Sequence, residues 1–130
     1  MKQITQILII AYLLFFVLLT MAFSESVTSI YDFDGDGKAD PAVYEYETGD
    51  WYFLLSSNWA VTNLQFGWNE VRPVPGDYDG DGIGDLTVYH RQDGMWYILR
   101  SSTFTLSTIE FGWDGARPVA GDYDGDGKTD

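Results

Sequence analysis

The 130-residue chain has no cysteine, which excludes a disulfide framework and a lipid-modified amino-terminal Cys. Its single histidine, His90, follows the apolar run "LTVY", and its counterpart 45 residues earlier is Glu45. A lone imidazole without an orienting partner is a poor general base, so His90 is expected to be an exposed strand residue and the chain is not expected to be an enzyme. Basic residues are scarce, seven Lys and Arg against twenty Asp and Glu. That balance excludes nucleic acid as a partner, because affinity for it comes largely from Lys and Arg neutralising phosphates. It favours cations instead. No stretch of the chain carries a helical period of apolar residues.

The one long apolar run lies at the start. Residues 1–24, "MKQITQILIIAYLLFFVLLTMAFS", begin with one Lys, run apolar from Ile7 to Leu19 and end in Ala22-Phe23-Ser24, with small residues at the two positions a signal peptidase reads. Extended to Phe23 the run is 17 residues, the bottom of the spanning range, so a cleaved secretory signal is expected rather than an anchor helix. Cleavage removes Lys2 and leaves six basic residues against twenty acidic, a net charge of −14, with no membrane span remaining. A secreted or cell-surface location is the corresponding expectation.

Twelve of the twenty acids sit in three passages: "DFDGDGKAD" at 32–40, "DYDGDGIGD" at 77–85 and "DYDGDGKTD" at 122–130. Shifting the chain by 45 residues aligns them without an insertion, and twenty of the forty-five positions in 31–75 and 76–120 are identical. The match runs through Val43-Tyr44, Trp51-Tyr52, Phe66-Gly67-Trp68 and Arg72-Pro73-Val74 and their partners. The chain therefore divides into a signal at 1–24, a lead-in at 25–31, a first repeat at 32–76, a second at 77–121 and the opening of a third at 122–130.

Within a repeat, short runs rich in Tyr, Trp, Phe and Val alternate with turns: "AVYEY" (42–46), "WYFLLSS" (51–57), "VTNLQFG" (61–67) and "RPVPGDYD" (72–79). Asp93-Gly94 in the second repeat is a strong hairpin signal. About four antiparallel strands in ~45 residues is the size of one β-propeller blade. The fold expected is all-β: two four-stranded antiparallel blades and the start of a third, an amino-terminal piece of a longer propeller whose remaining blades would follow Asp130.

Four carboxylates within nine residues repel one another strongly with nothing between them. Alternation turns loop positions 1, 3 and 5 towards a common centre, Gly at positions 4 and 6 permits the bend, and position 9 closes the site. Side-chain ligands are thus expected from Asp32, Asp34, Asp36 and Asp40, from Asp77, Asp79, Asp81 and Asp85, and from Asp122, Asp124, Asp126 and Asp130. Position 7 (Lys38, Ile83, Lys128) would give its backbone carbonyl, leaving its side chain free to vary. Hard oxygen donors on a flexible loop suit Ca²⁺, with six to eight oxygens, better than the stricter Mg²⁺. An EF-hand is excluded because position 12 is Val43 or Val88, inside a strand, where that motif needs a bidentate Glu.

The recurrent D-x-D-x-D-G-x-x-D, with Phe-Gly and a following Pro-Val-x-Gly, resembles the FG-GAP (VCBS-type) repeat family over residues 31–130. The Gly-Ala-Pro of the family's name is absent, its region reading "VPGDYDG" and "VAGDYDG", which leaves the acidic loop intact. The resemblance implies a calcium-stabilised β-propeller used in adhesion or in binding a protein or glycan, with the ion on the Asp residues at positions 1, 3, 5 and 9. The alternative is an accessory propeller region of a larger secreted hydrolase. Trp51 and Trp96 are expected in the blade core, whereas Trp68, Arg72, Trp113 and Arg117 are the candidate ligand contacts.

Overall fold

A computed structural model describes residues 30–130. The expected signal at 1–24 and most of the lead-in lie outside the described residues.

Seven strands and no helix occur among them: β1 (Ala42–Glu45), β2 (Asp50–Leu54), β3 (Val61–Gln65), β4 (Val71–Pro73), β5 (Leu86–His90), β6 (Met95–Leu99) and β7 (Leu106–Glu110). The sequence period carries into the structure, since β2 and β6, and likewise β3 and β7, lie 45 residues apart at both ends. The strands form two antiparallel sheets, of order β1-β2-β3 and β4-β5-β6-β7.

The expectation of two four-stranded sheets is corrected for the first, which has three strands among the described residues. β4, the last strand of the first repeat, leaves its own unit and pairs with β5 of the next, Val71 opposite His90 and Pro73 opposite Val88. Pro73 has no N–H to give, and β4 lies at a sheet edge, where proline is tolerated. The residues one period before β4, 26–28, lie outside the described region. Those one period after it, 116–118, have no strand to join among the described residues and form none.

Strand alternation decides what is buried. On β2, Trp51 and Phe53 point to one face and are buried, while Tyr52 between them is exposed. They pack with Leu86 and Val88 of β5 and Val71 of β4, and Tyr44, Tyr97 and Leu99 cover the cluster. One face of the first sheet is thus pressed on the opposite face of the second. Full burial of each such side chain contributes about 1.5–3 kcal/mol, and this cluster holds the two sheets together.

The Phe-Gly turn is fixed by the same two aromatics in each repeat. Trp51 donates its indole N–H to the Phe66 carbonyl at 2.8 Å, and Trp96 does the same to Phe111 at 2.8 Å. The Tyr44 and Tyr89 hydroxyls donate to the Trp68 and Trp113 carbonyls. Gly67 (φ +139°) is required here: a Cβ on it would overlap the Tyr44 hydroxyl, and Gly112 stands in the same relation to Tyr89.

Candidate metal centres

Each acidic passage forms a tight loop closed by a backbone hydrogen bond from the N–H of position 9 to the carbonyl just before position 1: Asp40 to Tyr31 (2.7 Å), Asp85 to Gly76 (2.7 Å) and Asp130 to Gly121 (2.8 Å). In the second loop this pair continues the β4–β5 ladder, so the loop is the turn of a hairpin, as the strand-borne position 12 implied.

Inside the loop every carboxylate accepts a backbone N–H. Position 1 is the hub. Asp32 takes the N–H groups of Gly35 and Gly37, both at 2.7 Å, and Asp77 and Asp122 take those of Gly80 and Gly82 and of Gly125 and Gly127. All six glycines have positive φ, between 78° and 88°, which turns their N–H groups inward and is costly for any residue with a Cβ. Position 3 accepts from the N–H of position 5, and position 5 from that of position 7. Position 9 accepts from the N–H of position 2: Asp40 from Phe33, Asp85 from Tyr78 and Asp130 from Tyr123.

These bonds gather the carboxylates. Asp32, Asp34 and Asp36 each present an oxygen within 4.8 Å of the others, as do Asp77, Asp79 and Asp85, and Asp122, Asp124 and Asp130. Such groups can hold a metal ion. The first loop recruits position 5 and the other two recruit position 9, so three of the four expected carboxylates converge in each. The groups consist of side-chain oxygens; the side chains of position 7 lie elsewhere. Ile83 rests against Gly35 of the preceding loop, and the Lys128 stem sits over Gly80.

Residues 77–130, which run from the second acidic loop to the third, match the family model of the FG-GAP-like repeat. Over that stretch the chain is similar to this repeat. No curated protein and no solved structure matches the chain.

Two features of the acidic loops were not read from the sequence. The first is a Ser-Ser pair after the central strand, Ser56-Ser57 in the first unit and Ser101-Ser102 in the second, which reaches the acidic loop. The Ser56 N–H donates to Asp40 (2.7 Å) and its hydroxyl to Asp36 (2.9 Å); the Ser57 hydroxyl donates to Asp34 (2.6 Å). Ser101 and Ser102 repeat this on Asp85, Asp81 and Asp79. The signal was present, for both serines are identical across the 45-residue shift.

The second feature is that consecutive loops are joined. The N–H of position 8 donates to the position-1 carbonyl of the loop before it, Gly84 to Asp32 (2.6 Å) and Thr129 to Asp77 (2.7 Å). The Thr129 hydroxyl also accepts the Asp77 N–H at 3.0 Å.

Charge in these loops is poorly balanced by protein cations. Lys38 pairs with Asp36 at 3.3 Å from a largely exposed position, a geometry of small energetic weight. In the second loop the corresponding residue is Ile83. There burial pushes the Asp85 carboxyl above the usual carboxylate range despite the N–H bonds from Ser101 and Tyr78, with the charge of Asp79 adding to the effect. Asp36 goes the other way: burial opposes its charge, but bonds from Ser56 and Lys38 outweigh it and hold the carboxyl below the usual range. The Tyr78 phenol, buried and facing Asp85, is raised well above the ordinary tyrosine range. Its hydroxyl donates to the Val74 carbonyl at 2.9 Å.

The candidate ligand contacts divide. The Trp68 ring packs on Tyr97 (5.1 Å between centroids) and His90 (5.7 Å) and remains 39% exposed. Arg72 lies on β4 opposite Tyr89. Trp113 is 71% exposed and meets Arg117 in a hollow of about 790 Å³ over the free face of the second sheet, with Tyr89, Trp96, Phe111 and Tyr123 also on its wall. His90 is not exposed as expected: its side chain is largely buried against Trp68, and its Nδ1 lies 2.8 Å from Asp93. Among the described residues no helix is long and apolar enough to cross a membrane.

Proposed function

We propose that this chain is a calcium-binding β-propeller module of a secreted or cell-surface protein, acting without catalysis as a binding or adhesion element for protein or glycan. The carrying observation is the threefold acidic loop, in each copy of which three carboxylates present oxygens within 4.8 Å of one another, with one protein cation, an exposed Lys, paired to them among the described residues. The match of 77–130 to the FG-GAP-like repeat, a type common in extracellular proteins, supports the location.

The donor set fits a hard divalent ion. It is all oxygen, with no His or Cys to favour zinc or copper. Each carboxylate oxygen that accepts one N–H keeps a second lone pair. The ion would be held by the Asp residues at positions 1, 3, 5 and 9 and by the carbonyls of Lys38, Ile83 and Lys128, with water completing the shell. Its charge would offset the burial, and the lesser effect of the Asp79 charge, that raise the Asp85 carboxyl. What it supplies is structural: consecutive loops are hydrogen-bonded to one another, Gly84 to Asp32 and Thr129 to Asp77, so neutralising them would steady the contact between successive repeats. Trp68, Arg72, Trp113 and Arg117 would be the module's ligand-contacting residues, the rings for stacking and the guanidinium groups for hydrogen bonding.

Calorimetric titration of the full chain with Ca²⁺ tests the reading. Uptake is expected in the weak extracellular range, about 10⁻⁴–10⁻³ M, with Mg²⁺ competing poorly. No heat of uptake, or equal response to both ions, would contradict it.

A further inference from the structure

We infer that the Ser-Ser pair which follows β2 in the first repeat and β6 in the second positions the metal ligands of the acidic loop of its own repeat. The inference rests on the reading of the loops as cation sites and adds to it a role for residues outside the acidic passages.

One dipeptide grips three carboxylates at once. In the first unit Ser56 holds Asp40 through its N–H (2.7 Å) and Asp36 through its hydroxyl (2.9 Å), while Ser57 holds Asp34 through its hydroxyl (2.6 Å) and its N–H (3.2 Å). In the second unit Ser101 holds Asp85 (2.7 Å) and Asp81 (2.9 Å), and the Ser102 hydroxyl holds Asp79. The remaining carboxylate, at position 1, is already held on both oxygens by the loop glycines. All four ligands of these two loops are therefore fixed before an ion arrives, three of them from a rigid strand end rather than from the loop itself. Hydrogen bonds to a carboxylate are the strong kind, and groups that orient metal ligands from behind typically govern affinity by about 10–100-fold.

Terbium luminescence sensitised by the tryptophans of the full chain, with lifetimes in H₂O and D₂O to count bound waters, reads the sites one class at a time. The double substitution Ser101→Ala/Ser102→Ala is expected to weaken one equivalent by about 10–100-fold and to add water to it, and Ser101→Thr/Ser102→Thr, which keeps both hydroxyls, to restore it. The milder Ser102→Ala alone, removing only the contact to Asp79, weakens the same equivalent by a smaller factor and serves if the double variant does not fold. A titration unchanged in either alanine variant overturns the inference while leaving the cation sites standing. No uptake at any loop overturns both.

Discussion

Trp51 and Trp96 occupy the same register position in successive repeats and make the same bonds, but their surroundings differ, and replacing each by Phe isolates that difference. Each pairs with a tyrosine across the ladder, Tyr44 or Tyr89, at 5.2 Å between ring centroids, and each donates to a Phe carbonyl at 2.8 Å. Trp51 is 2% exposed in the inter-sheet cluster, whereas Trp96 lines the open hollow on the free face of the second sheet. Loss of the indole N–H costs about 0.5–1.5 kcal/mol at either site. At Trp51 the smaller ring also gives up roughly 40 Å² of buried apolar surface, worth about 1 kcal/mol, and leaves a void the packed sheets cannot fill. Trp51→Phe should therefore cost about 2–3 kcal/mol and Trp96→Phe about 1 kcal/mol. With a urea slope of about 1–2 kcal/mol/M, the transition followed by far-UV circular dichroism falls by about 1–2 M for the first and about half that for the second. Equal penalties, or a larger one at Trp96, would refute the claim that one face of each sheet is core and the corresponding face of the next is open.

Gly67→Ala should destabilise by about 1–3 kcal/mol, because φ +139° and the Tyr44 hydroxyl both exclude a Cβ; Gly115→Ala, at φ +83° in open space, should cost about 1 kcal/mol, its counterpart Glu70 already holding that conformation. Urea midpoints compare the two. Thr129→Val keeps the shape but leaves the Asp77 N–H without its hydroxyl acceptor, an expected loss of about 1–3 kcal/mol, visible as faster hydrogen exchange at the Asp77 amide. Asp36→Ala and Asp81→Ala should each reproduce part of the destabilisation that a chelator causes in the parent chain, read as a lowered Tm that added Ca²⁺ only partly restores.

Much of this architecture was legible because the repeat is strict. The 45-residue shift placed β2 and β6, and β3 and β7, at equivalent positions, and the D-x-D-x-D-G-x-x-D spacing gave both the loop and its inward-facing carboxylates. What escaped depends on contacts far apart in the chain. Nothing local in "RPVPG" says that β4 pairs with the next repeat rather than its own; the proline marks only an edge. The serines are visible as identities, but their reach to carboxylates 16 to 23 residues earlier follows from where the strand ends relative to the loop. The neighbours of Trp68, Tyr97 and His90, come from the following repeat, so this packing is not visible within its own unit. The same contact leaves the His90 side chain largely covered.

The most direct test of the loops as ion-dependent joints is the thermal unfolding of the full chain before and after chelation. The account predicts a Tm that drops with EDTA, rises with the logarithm of added Ca²⁺ and responds little to Mg²⁺ at the same concentration. A melting curve indifferent to EDTA and to Ca²⁺ would contradict it.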